Sequence, residues 1–546
     1  MKNSASVLRA AAVALLLIAA REGVAAADQQ SPAATGAGKT PDHIVLTWTD
    51  DPHTTQTISW RTDPSVTTGS VRFQKGSSVA SAAAVRLASR SDFITDLGPV
   101  AQFSVTITGL EPGASYSYQV GTPGAWSKSS TFSTEKKGLG AFTFLVFGDS
   151  QSGIADDPEY GPWKTTVQNA FAAFRDARFL VNVGDLVEVG QSCAHWNAWF
   201  DAAAGVIDRI PEMAVEGNHE TYGAGAVGSV KPFYLAVQFP LPRNGPDGLE
   251  GQVYSWDYGA VHFVVLDCQE DEEGPTYGDI LSAQAAWLDD DLGRTKQPWK
   301  IVFFHKTPYY LKASRTNEAV KAAFCPVLDK HHVDVVFNGH DHGIARTYAL
   351  KADEMVARPS QGTIYVVTGR SGNKAYPDLS RKVWNTFFYD PQDQPNYLVA
   401  RVEGQTLTIR SMKQDGTLID TFSIDKVRDT DSDMALFPVP TGSWTRYSAP
   451  TLVVYGNVVS PLVTHHAPVQ KDGAWYVDLG AFAATIGATV VAREGNAVVI
   501  ADGKAYPIPS DMLFSDRVTL VSVQALAALG FRAAFHAATN MLEITR

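Results

Sequence analysis

The chain has 546 residues, and at about 150 residues per domain this length predicts three or four domains. Lys and Arg number 45 against 57 Asp and Glu, which gives a net charge of -12, and 45% of the residues are hydrophobic. This composition can fill buried cores and excludes wholesale disorder. Because a nucleic-acid groove needs clustered Lys and Arg, the acidic balance excludes such a groove as the main binding surface. An anionic ligand would need another source of positive charge.

The cysteine and histidine counts narrow the kinds of site that the chain can form. Cys193, Cys268 and Cys325 allow at most one disulfide bridge and form no CxxC pair, so they predict neither a disulfide scaffold nor a structural zinc site. We expect Cys268 and Cys325 to be buried as small apolar side chains. Thirteen histidines are enough for a metal site if several of them converge.

The N-terminus has the pattern of a secretory signal peptide. Basic residues precede an apolar run over residues 10–20, and small residues follow it. Residues 1–27 are therefore predicted to be removed, and residues 28–41 to form a flexible leader. The apolar run is shorter than the roughly 20 residues that cross a bilayer, so the pattern predicts a secreted or periplasmic protein without a transmembrane anchor.

Residues 42–134 form short alternating apolar patterns separated by Gly, Pro and Asp turns, which predicts a β-sandwich. Within it, the stretch Leu110–Tyr116 resembles the tyrosine corner of fibronectin type III domains, in which a phenol hydroxyl binds backbone groups. The resemblance implies a structural spacer, and shaping of a substrate site is the alternative.

In residues 139–425 the pattern changes to continuous apolar runs that alternate with helical periodicity. Such runs are typical of strands that are covered on both faces of a sheet. Apolar residues at helical spacing predict helices around Val167 and Phe324. We therefore expect an α/β domain with a β-rich tail. The predicted strands are residues 142–147, 179–183, 213–215, 261–266, 301–304, 333–337 and 364–367.

Residues 426–450 are polar and interrupted by proline, which predicts a linker. Within residues 451–546, the segment 477–487 matches 521–530 with one residue inserted, which is a weak internal repeat. Each copy predicts a small helix that ends at glycine and is followed by a strand. This layout resembles the copper amine oxidase N-terminal-like modules of secreted bacterial proteins. It implies a small α+β accessory domain that associates with the cell envelope.

Five polar motifs follow predicted strands of the α/β domain. Ligands of open α/β sheets bind at the carboxyl ends of strands, so motifs at five such ends are expected to converge. Glycines in the motifs allow sharp turns and close approach of side chains. The motifs are Gly148–Gln151, Gly184–Glu188, Gly217–Glu220, His305 and Gly339–His342.

The residue types in these motifs are those of a metal centre. Carboxylates, an amide oxygen and imidazoles ligate divalent and trivalent metal ions, and one carboxylate can bridge two ions. Two ions about 3.5 to 4 Å apart would supply the missing positive charge, bind a phosphoryl oxygen and lower the pKa of a bridging water. The motifs together therefore predict hydrolysis at phosphorus.

With these motifs in this order, the chain resembles the calcineurin-like metallophosphoesterases. The sandwich ahead of them makes the purple acid phosphatases the most similar branch. The resemblance covers residues 42–425 and implies a four-layer αββα domain with two metal ions, of iron, zinc or manganese. The implied ligands are Asp149 and His342 at metal 1, Asp185 as the bridge, and Asn218, His305 and His340 at metal 2.

Two positions depart from the family pattern and leave one ligand of metal 1 open. Purple acid phosphatases have a tyrosinate three residues after the bridging aspartate, where this chain has Glu188. The broader superfamily often has a histidine two residues after the first aspartate, where this chain has Gln151. Glu188 as an anionic ligand, Gln151 through its amide oxygen, and water with neither residue are the three alternatives.

The resemblance also implies the residues that act on the substrate. His219 would face the leaving group, as a general acid or as a stabiliser of pentacoordinate phosphorus. Glu220 would act with it, either by orienting His219 or through a supporting hydrogen bond. Lys306 and Arg370 lie near motif ends and are predicted to contact substrate oxygens, with a solvated surface cation as the alternative for each.

The expected function is hydrolysis of small phosphate monoesters outside the cytoplasm, by attack of a metal-bound hydroxide and without a covalent intermediate. A phosphodiesterase or nucleotide phosphohydrolase that uses the same site is one alternative. The other is an envelope-associated binding protein whose phosphoesterase site is degenerate.

Overall fold

The computed structural model covers the two central domains of the chain and parts of its C-terminal region. The predicted signal peptide, most of the predicted leader and most of the predicted linker lie outside the described residues. Within the described part of the chain, no helix is both long and apolar enough to cross a membrane. The described residues are 35–433, except 81, 224–231, 313–314, 316, 378, 380 and 383, and short segments between 442 and 545.

The first domain is a β-sandwich of two antiparallel sheets. Its strands are β1 Asp42–Thr47, β2 Gln56–Thr62, β3 Ser70–Lys75, β4 Ala84–Leu87, β5 Ser89–Thr95, β6 Gly98–Ile107, β7 Ser115–Thr122, β8 Ala125–Trp126 and β9 Ser130–Ser133. One sheet has the order β1-β2-β6-β5 and the other β4-β3-β7-β8, with β9 paired to β7. The hydroxyl of Tyr116 accepts a hydrogen bond from the backbone N–H of Glu111 at 2.9 Å, which confirms the predicted tyrosine corner.

The second domain contains two mixed sheets that pack face to face. One sheet has the order β11-β10-β21-β22-β23-β24 and the other β12-β13-β14-β15-β19-β16-β20, while β17 pairs with β18. The strands are β10 Ala141–Phe147, β11 Ala177–Asn182, β12 Tyr254–Tyr258, β13 Val261–Val265, β14 Trp299–Lys306, β15 Val335–Gly339, β16 Ile344–Thr347, β17 Leu350–Lys351, β18 Glu354–Met355, β19 Ile364–Thr368, β20 Asn385–Tyr389, β21 Asn396–Glu403, β22 Thr406–Lys413, β23 Leu418–Asp425 and β24 Thr430–Asp431. Phe144 of β10 meets Phe263 of β13 edge to face at 5.4 Å between the sheets.

Helices cover the outer faces of the two sheets, which gives the predicted four-layer αββα arrangement. They are α1 Gly161–Ala173, α2 Cys193–Ala203, α3 Phe233–Gln238, α4 Glu270–Tyr277, α5 Ile280–Arg294 and α6 Glu318–Lys330, with 3₁₀ turns at Asn218–Thr221 and Pro359–Gln361. On the first sheet, Trp163 of α1 packs against Phe147 at 5.1 Å. On the second, Phe324 of α6 packs against Phe304 at 5.5 Å.

One predicted strand of this domain is wrong. Residues 213–215 are not a regular strand, although the N–H groups of Met213 and Val215 donate to the carbonyl oxygens of Leu180 and Asn182 at 3.0 Å. The segment lies beside β11 over this short stretch only and then enters the Gly217 motif.

The three cysteines are free and buried, as predicted for Cys268 and Cys325.

The C-terminal region is rich in strands and contains two short helices. The elements are β25 Gly442–Ser443, β26 Thr451–Val454, β27 Asn457–Val459, β28 Val469–Lys471, β29 Ala474–Asp478, α7 Leu479–Thr485, β30 Thr489–Arg493, β31 Asn496–Ala501, β32 Lys504–Pro507, β33 Met512–Ser515, β34 Val518–Ser522, α8 Val523–Ala527, β35 Arg532–His536 and β36 Met541–Thr545. The two repeat copies pair through equivalent strands, because Val477 of β29 lies opposite Val521 of β34. The resemblance of this region to copper amine oxidase modules stays a prediction.

Candidate metal centre

The predicted ligands converge into two groups that share Asp185. Asp185, His305 and His340 form one group, and Asp149, Asp185 and His342 form the other, with the ligand atoms of each group within 4.8 Å of one another. Their segments follow or end β10, β11, β14 and β15, so the strand ends bring them together. Asp185 has the position that a carboxylate bridging two ions would need.

Four of these ligands have left-handed backbone conformations. The φ angles are 53° for Asp149, 53° for Asp185, 72° for His340 and 59° for His342. Such conformations cost about 1 to 3 kcal/mol each in residues other than glycine, and they concentrate at functional sites. The chain therefore maintains strain at four turns in order to direct these side chains to one centre.

Backbone carbonyl groups orient two of the imidazoles. His305 Nδ1 donates to the carbonyl oxygen of Val183 at 2.8 Å, and His342 Nδ1 donates to that of Lys374 at 2.7 Å. Each contact leaves Nε2 facing a carboxylate, at 3.2 Å from Asp185 and 3.1 Å from Asp149 respectively. Metal-binding histidines are commonly held in this way by their second ring nitrogen.

Two amide side chains at the centre have an oxygen without a hydrogen-bond donor among the described residues. Asn218 Nδ2 donates to the Tyr222 hydroxyl at 2.6 Å, while its Oδ1 is buried and unpaired. Gln151 Nε2 donates to Asp185 Oδ2 at 3.1 Å, while its Oε1 is likewise buried and unpaired. A buried acceptor without a donor is costly, so these two oxygens fit ligands of a metal ion.

Glycine is required where the motifs approach one another. A Cβ atom at Gly217 would lie 2.1 Å from the backbone nitrogen of Asp185, and one at Gly339 would lie 2.8 Å from Asp149 Oδ2. Neither separation is compatible with a side chain. The glycines of the motifs therefore allow the close approach that the sequence pattern predicts.

The charges of the centre shift the pKa values of two of its members. Burial alone would raise the pKa of Asp185, but the imidazoles of His305 and His219 hold it well below its ordinary range. Burial opposes the charge on His305, but the attraction of Asp185 raises its pKa to about 9. A metal ion at this position would displace the His305 proton, so binding would release it.

Of the two roles predicted for Glu220, its contacts fit a supporting hydrogen bond and not a direct catalytic role. Its carboxylate accepts hydrogen bonds from the backbone N–H groups of Asp185 at 2.9 Å, Leu186 at 2.8 Å, Val187 at 3.2 Å and Gly217 at 2.8 Å. All of its acceptor capacity is directed at the loops that carry Asp185 and Asn218, and none at the His219 ring. Glu220 therefore fixes the conformation of two ligand-bearing loops.

Replacing Glu220 with glutamine is expected to destabilise the fold by about 3 kcal/mol, because each carboxylate oxygen accepts from two buried N–H groups and two of these four would then face an NH₂ group. Thermal unfolding monitored by circular dichroism measures the effect. Glu159→Gln is the matched control, since Glu159 is exposed and accepts only from the N–H of Gly161 at 3.0 Å. Equal unfolding temperatures for the two variants would contradict this role of Glu220.

His219 and Glu188 form a connected group beside the centre. His219 Nδ1 donates to the carbonyl oxygen of Glu188 at 2.7 Å, so that Nε2 lies on the side of Asp185, 3.9 Å from its Oδ2. The His219 ring packs on Tyr222 with centroids 4.5 Å apart. His219 therefore presents one nitrogen towards the centre, as its predicted role requires.

Lys374 was not identified from the sequence, and its ammonium group contacts both His219 and Glu188. Its Nζ is 3.1 Å from both carboxylate oxygens of Glu188 and 3.2 Å from His219 Nε2. Lys374 belongs to the loop after β19, another polar segment at a strand end. The run Gly369–Lys374 was the signal that could have identified it, because it follows an apolar strand as the five motifs do.

The two cations predicted to contact substrate have other partners. Lys306 is buried, and its Nζ lies 2.7 Å from Glu272 Oε2. Arg370 is buried, and its guanidinium donates to the carbonyl oxygens of Pro391 at 2.7 Å and Gly372 at 2.8 Å. Both contacts oppose the predicted substrate-binding role, since these donors already hold surrounding loops in place.

Comparison with known proteins gives a family model for each of the two central domains. The model of the purple acid phosphatase N-terminal domain matches residues 41–134, and that of the calcineurin-like phosphoesterases matches residues 142–343. Purple acid phosphatase 23 of Arabidopsis thaliana is 25% identical over 304 residues, which cover 49% of this chain and 62% of that protein. Acid phosphatase type 7 of Mus musculus is 26% identical over 381 residues, which cover 63% of this chain and 81% of that protein.

A solved structure shares the fold. Purple acid phosphatase PPD1 from yellow lupin (Lupinus luteus) seeds superposes with a TM-score of 0.58 and 19% identity, over 72% of this chain and 75% of that one. The chain spans less than two thirds of the length of the Arabidopsis relative. Members of these families are metal-dependent phosphoric ester hydrolases. Residues 142–343 are therefore a calcineurin-like phosphoesterase domain, and residues 41–134 are a purple acid phosphatase N-terminal domain.

Proposed function

We propose that the chain hydrolyses phosphate monoesters at a centre of two metal ions and does so outside the cytoplasm. The convergence of five of the six predicted ligands into two groups that share Asp185 is the observation that carries the proposal. The sandwich domain favours monoesters, because it is the architecture of the purple acid phosphatases. The signal-peptide pattern of residues 1–27 supports the extracellular location.

The predicted ligands form two metal sites with different ligand sets. Asp149, His342 and Gln151 would hold the first, because the unpaired Gln151 oxygen is a better candidate than the Glu188 carboxylate, which faces Lys374. Asn218, His305 and His340 would hold the second, with Asp185 between the two. When bound, two ions supply positive charge for phosphoryl oxygens and lower the pKa of a water.

The protein's own side chains supply the rest of the chemistry. Lys374 Nζ lies beside His219 Nε2 at 3.2 Å, so a phosphoryl oxygen that approaches the centre meets an ammonium group next to the imidazole. His219 delivers a proton to the leaving oxygen from Nε2 in its doubly protonated form, in which Lys374 keeps only its contacts with the Glu188 carboxylate. The carbonyl of Glu188 fixes the ring orientation and its carboxylate holds Lys374.

Monoester specificity is tested by comparing two aryl substrates after metal reconstitution of the purified protein. We expect hydrolysis of an aryl phosphate monoester with kcat/KM at least about tenfold above that of the bis-aryl diester, because the ammonium of Lys374 favours the second negative charge of the monoester. Elemental analysis of the same sample gives the metals and their number per chain. A higher kcat/KM for the diester would assign the site to phosphodiesters instead.

A further inference from the structure

A second cluster of carboxylates lies outside the centre described above. Glu216, Asp267 and Glu273 are 1%, 0% and 0% exposed, and each places an oxygen within 4.8 Å of the other two. They come from three separate segments: the residue before Gly217, the end of β13 and helix α4. The predicted metal ligands include none of them.

Hydrogen bonds to the cluster leave several buried oxygens unpaired. The two N–H groups of the Gln252 amide donate to Glu216 Oε2 at 2.9 Å and to the Glu273 carboxylate, whose Oε1 and Oε2 lie at 3.2 and 3.1 Å. Glu216 Oε1 accepts no hydrogen bond from the described residues, and Asp267 Oδ2 has no N–H or hydroxyl donor among them, although a protonated Glu273 carboxyl group would donate to the Asp267 side chain. Buried acceptors of this kind are costly unless a cation or a proton reaches them.

A fully buried glutamine contacts two members of the cluster. The backbone N–H of Gln269 donates to Asp267 Oδ1 at 2.8 Å, and its Nε2 donates to the carbonyl oxygen of Glu216 at 3.3 Å. These contacts tie Gln269 to two members of the cluster. Its Oε1 has no donor within the part of the chain that the structure describes.

The neighbouring ammonium group does not neutralise the cluster by direct pairing. Lys306 Nζ lies 2.7 Å from Glu272 and 3.7 Å from Asp271, neither of which belongs to the cluster. Three carboxylates this close to one another repel when ionised and buried. A cation among them would remove the repulsion and supply a partner for the unpaired oxygens.

We propose that Glu216, Asp267 and Glu273 bind a Ca²⁺ ion that is separate from the catalytic centre. The donors are oxygens only, without imidazole or thiolate, which is the preference of hard cations. Ca²⁺ binds oxygens at about 2.3 to 2.6 Å, so two of its ligands lie at most about 5 Å apart, and the three carboxylates meet this limit because their oxygens all lie within 4.8 Å of one another. The amide oxygen of Gln269 completes the set with a neutral ligand.

The ion would stabilise two segments that carry predicted ligands of the catalytic centre, and it would not contact the substrate. Glu216 lies two residues before Asn218. Cys268, next to Asp267, accepts a hydrogen bond from the backbone N–H of Lys306 at 3.0 Å through its sulfur, and Lys306 follows His305. The bound cation would therefore stabilise the segments that carry two predicted ligands of the second metal.

Calcium titration of the full chain tests the site. The protein retains its centre metals, as checked by elemental analysis, and is dialysed against calcium-free buffer before calorimetric and thermal titration with Ca²⁺. We expect one Ca²⁺ per chain in addition to the centre metals. The unfolding temperature should rise by about 5 °C when Ca²⁺ exceeds its Kd a hundredfold.

Isosteric variants assign the binding to the cluster. Asp267→Asn and Glu273→Gln should each weaken Ca²⁺ binding at least about tenfold, because the number of ligand charges sets the affinity. Glu212→Gln is the matched control, since Glu212 is equally buried with both carboxylate oxygens unpaired but lies outside the cluster. It should bind Ca²⁺ as the unmodified protein does.

Two results would overturn the proposal. One is that the unmodified protein takes up no Ca²⁺ when the Ca²⁺ concentration is millimolar. The carboxyl groups would then be neutralised by protons that they share and not by a cation. The other is Ca²⁺ binding by Glu273→Gln as tight as that of Glu212→Gln. Because the readout is calcium uptake, either result leaves the proposed hydrolysis untouched, and loss of hydrolysis in another experiment leaves the calcium site untouched.

Discussion

Replacing Asp185 with asparagine is expected to lower kcat for an aryl phosphate monoester by about 10³-fold or more. Asp185 Oδ2 lies 3.2 Å from His305 Nε2, and Oδ1 accepts the backbone N–H of His219 at 2.9 Å. Asparagine keeps the shape of the side chain but removes the negative charge between the two ligand groups. We expect the variant to hold fewer than two metal ions per chain, as measured by elemental analysis alongside the rate.

Asp334→Asn is the matched control for this change. Asp334 is mostly buried, precedes β15 at the end of the sheet opposite to the centre, and pairs with Lys426 at 2.7 Å. Its replacement costs a buried ion pair but should leave kcat and metal content per folded molecule within about twofold of the unmodified protein. If Asp185→Asn also kept its rate and both metals, hydrolysis would not depend on this centre and the proposed role of Asp185 would be wrong.

The position of the centre can be predicted from the sequence because each motif directly follows an apolar run, and such runs are recognisable without knowledge of the fold. A buried parallel strand is a continuous apolar run, so the end of the run marks the end of the strand. The runs that precede Asp149 and His305 become β10 and β14, and both side chains lie at the centre. The pattern alone places motifs at strand ends, and the resemblance to the calcineurin-like phosphoesterases then implies which six residues are ligands. Residues 213–215, ahead of Asn218, are the one predicted strand that the structure does not contain.

The residues that support the ligands cannot be predicted in the same way. The partners of Glu220 are four backbone N–H groups, and a sequence does not show where backbone donors point. Similarly, Arg370 and Lys374 lie in one loop, and only its folded path decides which of them faces the centre. The loop directs Arg370 to backbone carbonyls and Lys374 to His219.

Replacing Lys374 with alanine is expected to lower kcat/KM for the monoester by about 10²-fold while both metals stay bound. The ammonium group lies 3.2 Å from His219 Nε2 but contributes no metal ligand, so its loss removes charge stabilisation alone. Steady-state kinetics and elemental analysis of one preparation measure both quantities. Lys330→Ala is the control, because Lys330 forms a comparable pair with Asp289 at 2.6 Å on the surface, away from the centre.

Glu188→Gln and Gln151→Leu then decide which residue completes the first metal site. If the carboxylate of Glu188 serves to hold Lys374, Glu188→Gln keeps two metals per chain, and the double variant with Lys374→Ala is no slower than Lys374→Ala alone, because both changes remove one interaction. Gln151→Leu, by contrast, removes the unpaired Oε1 and should release one metal ion. If Glu188→Gln lost a metal ion and Gln151→Leu retained both, Glu188 would be the ligand of the first metal. Lys374 would then only form an ion pair with Glu188 and would have no role towards the substrate.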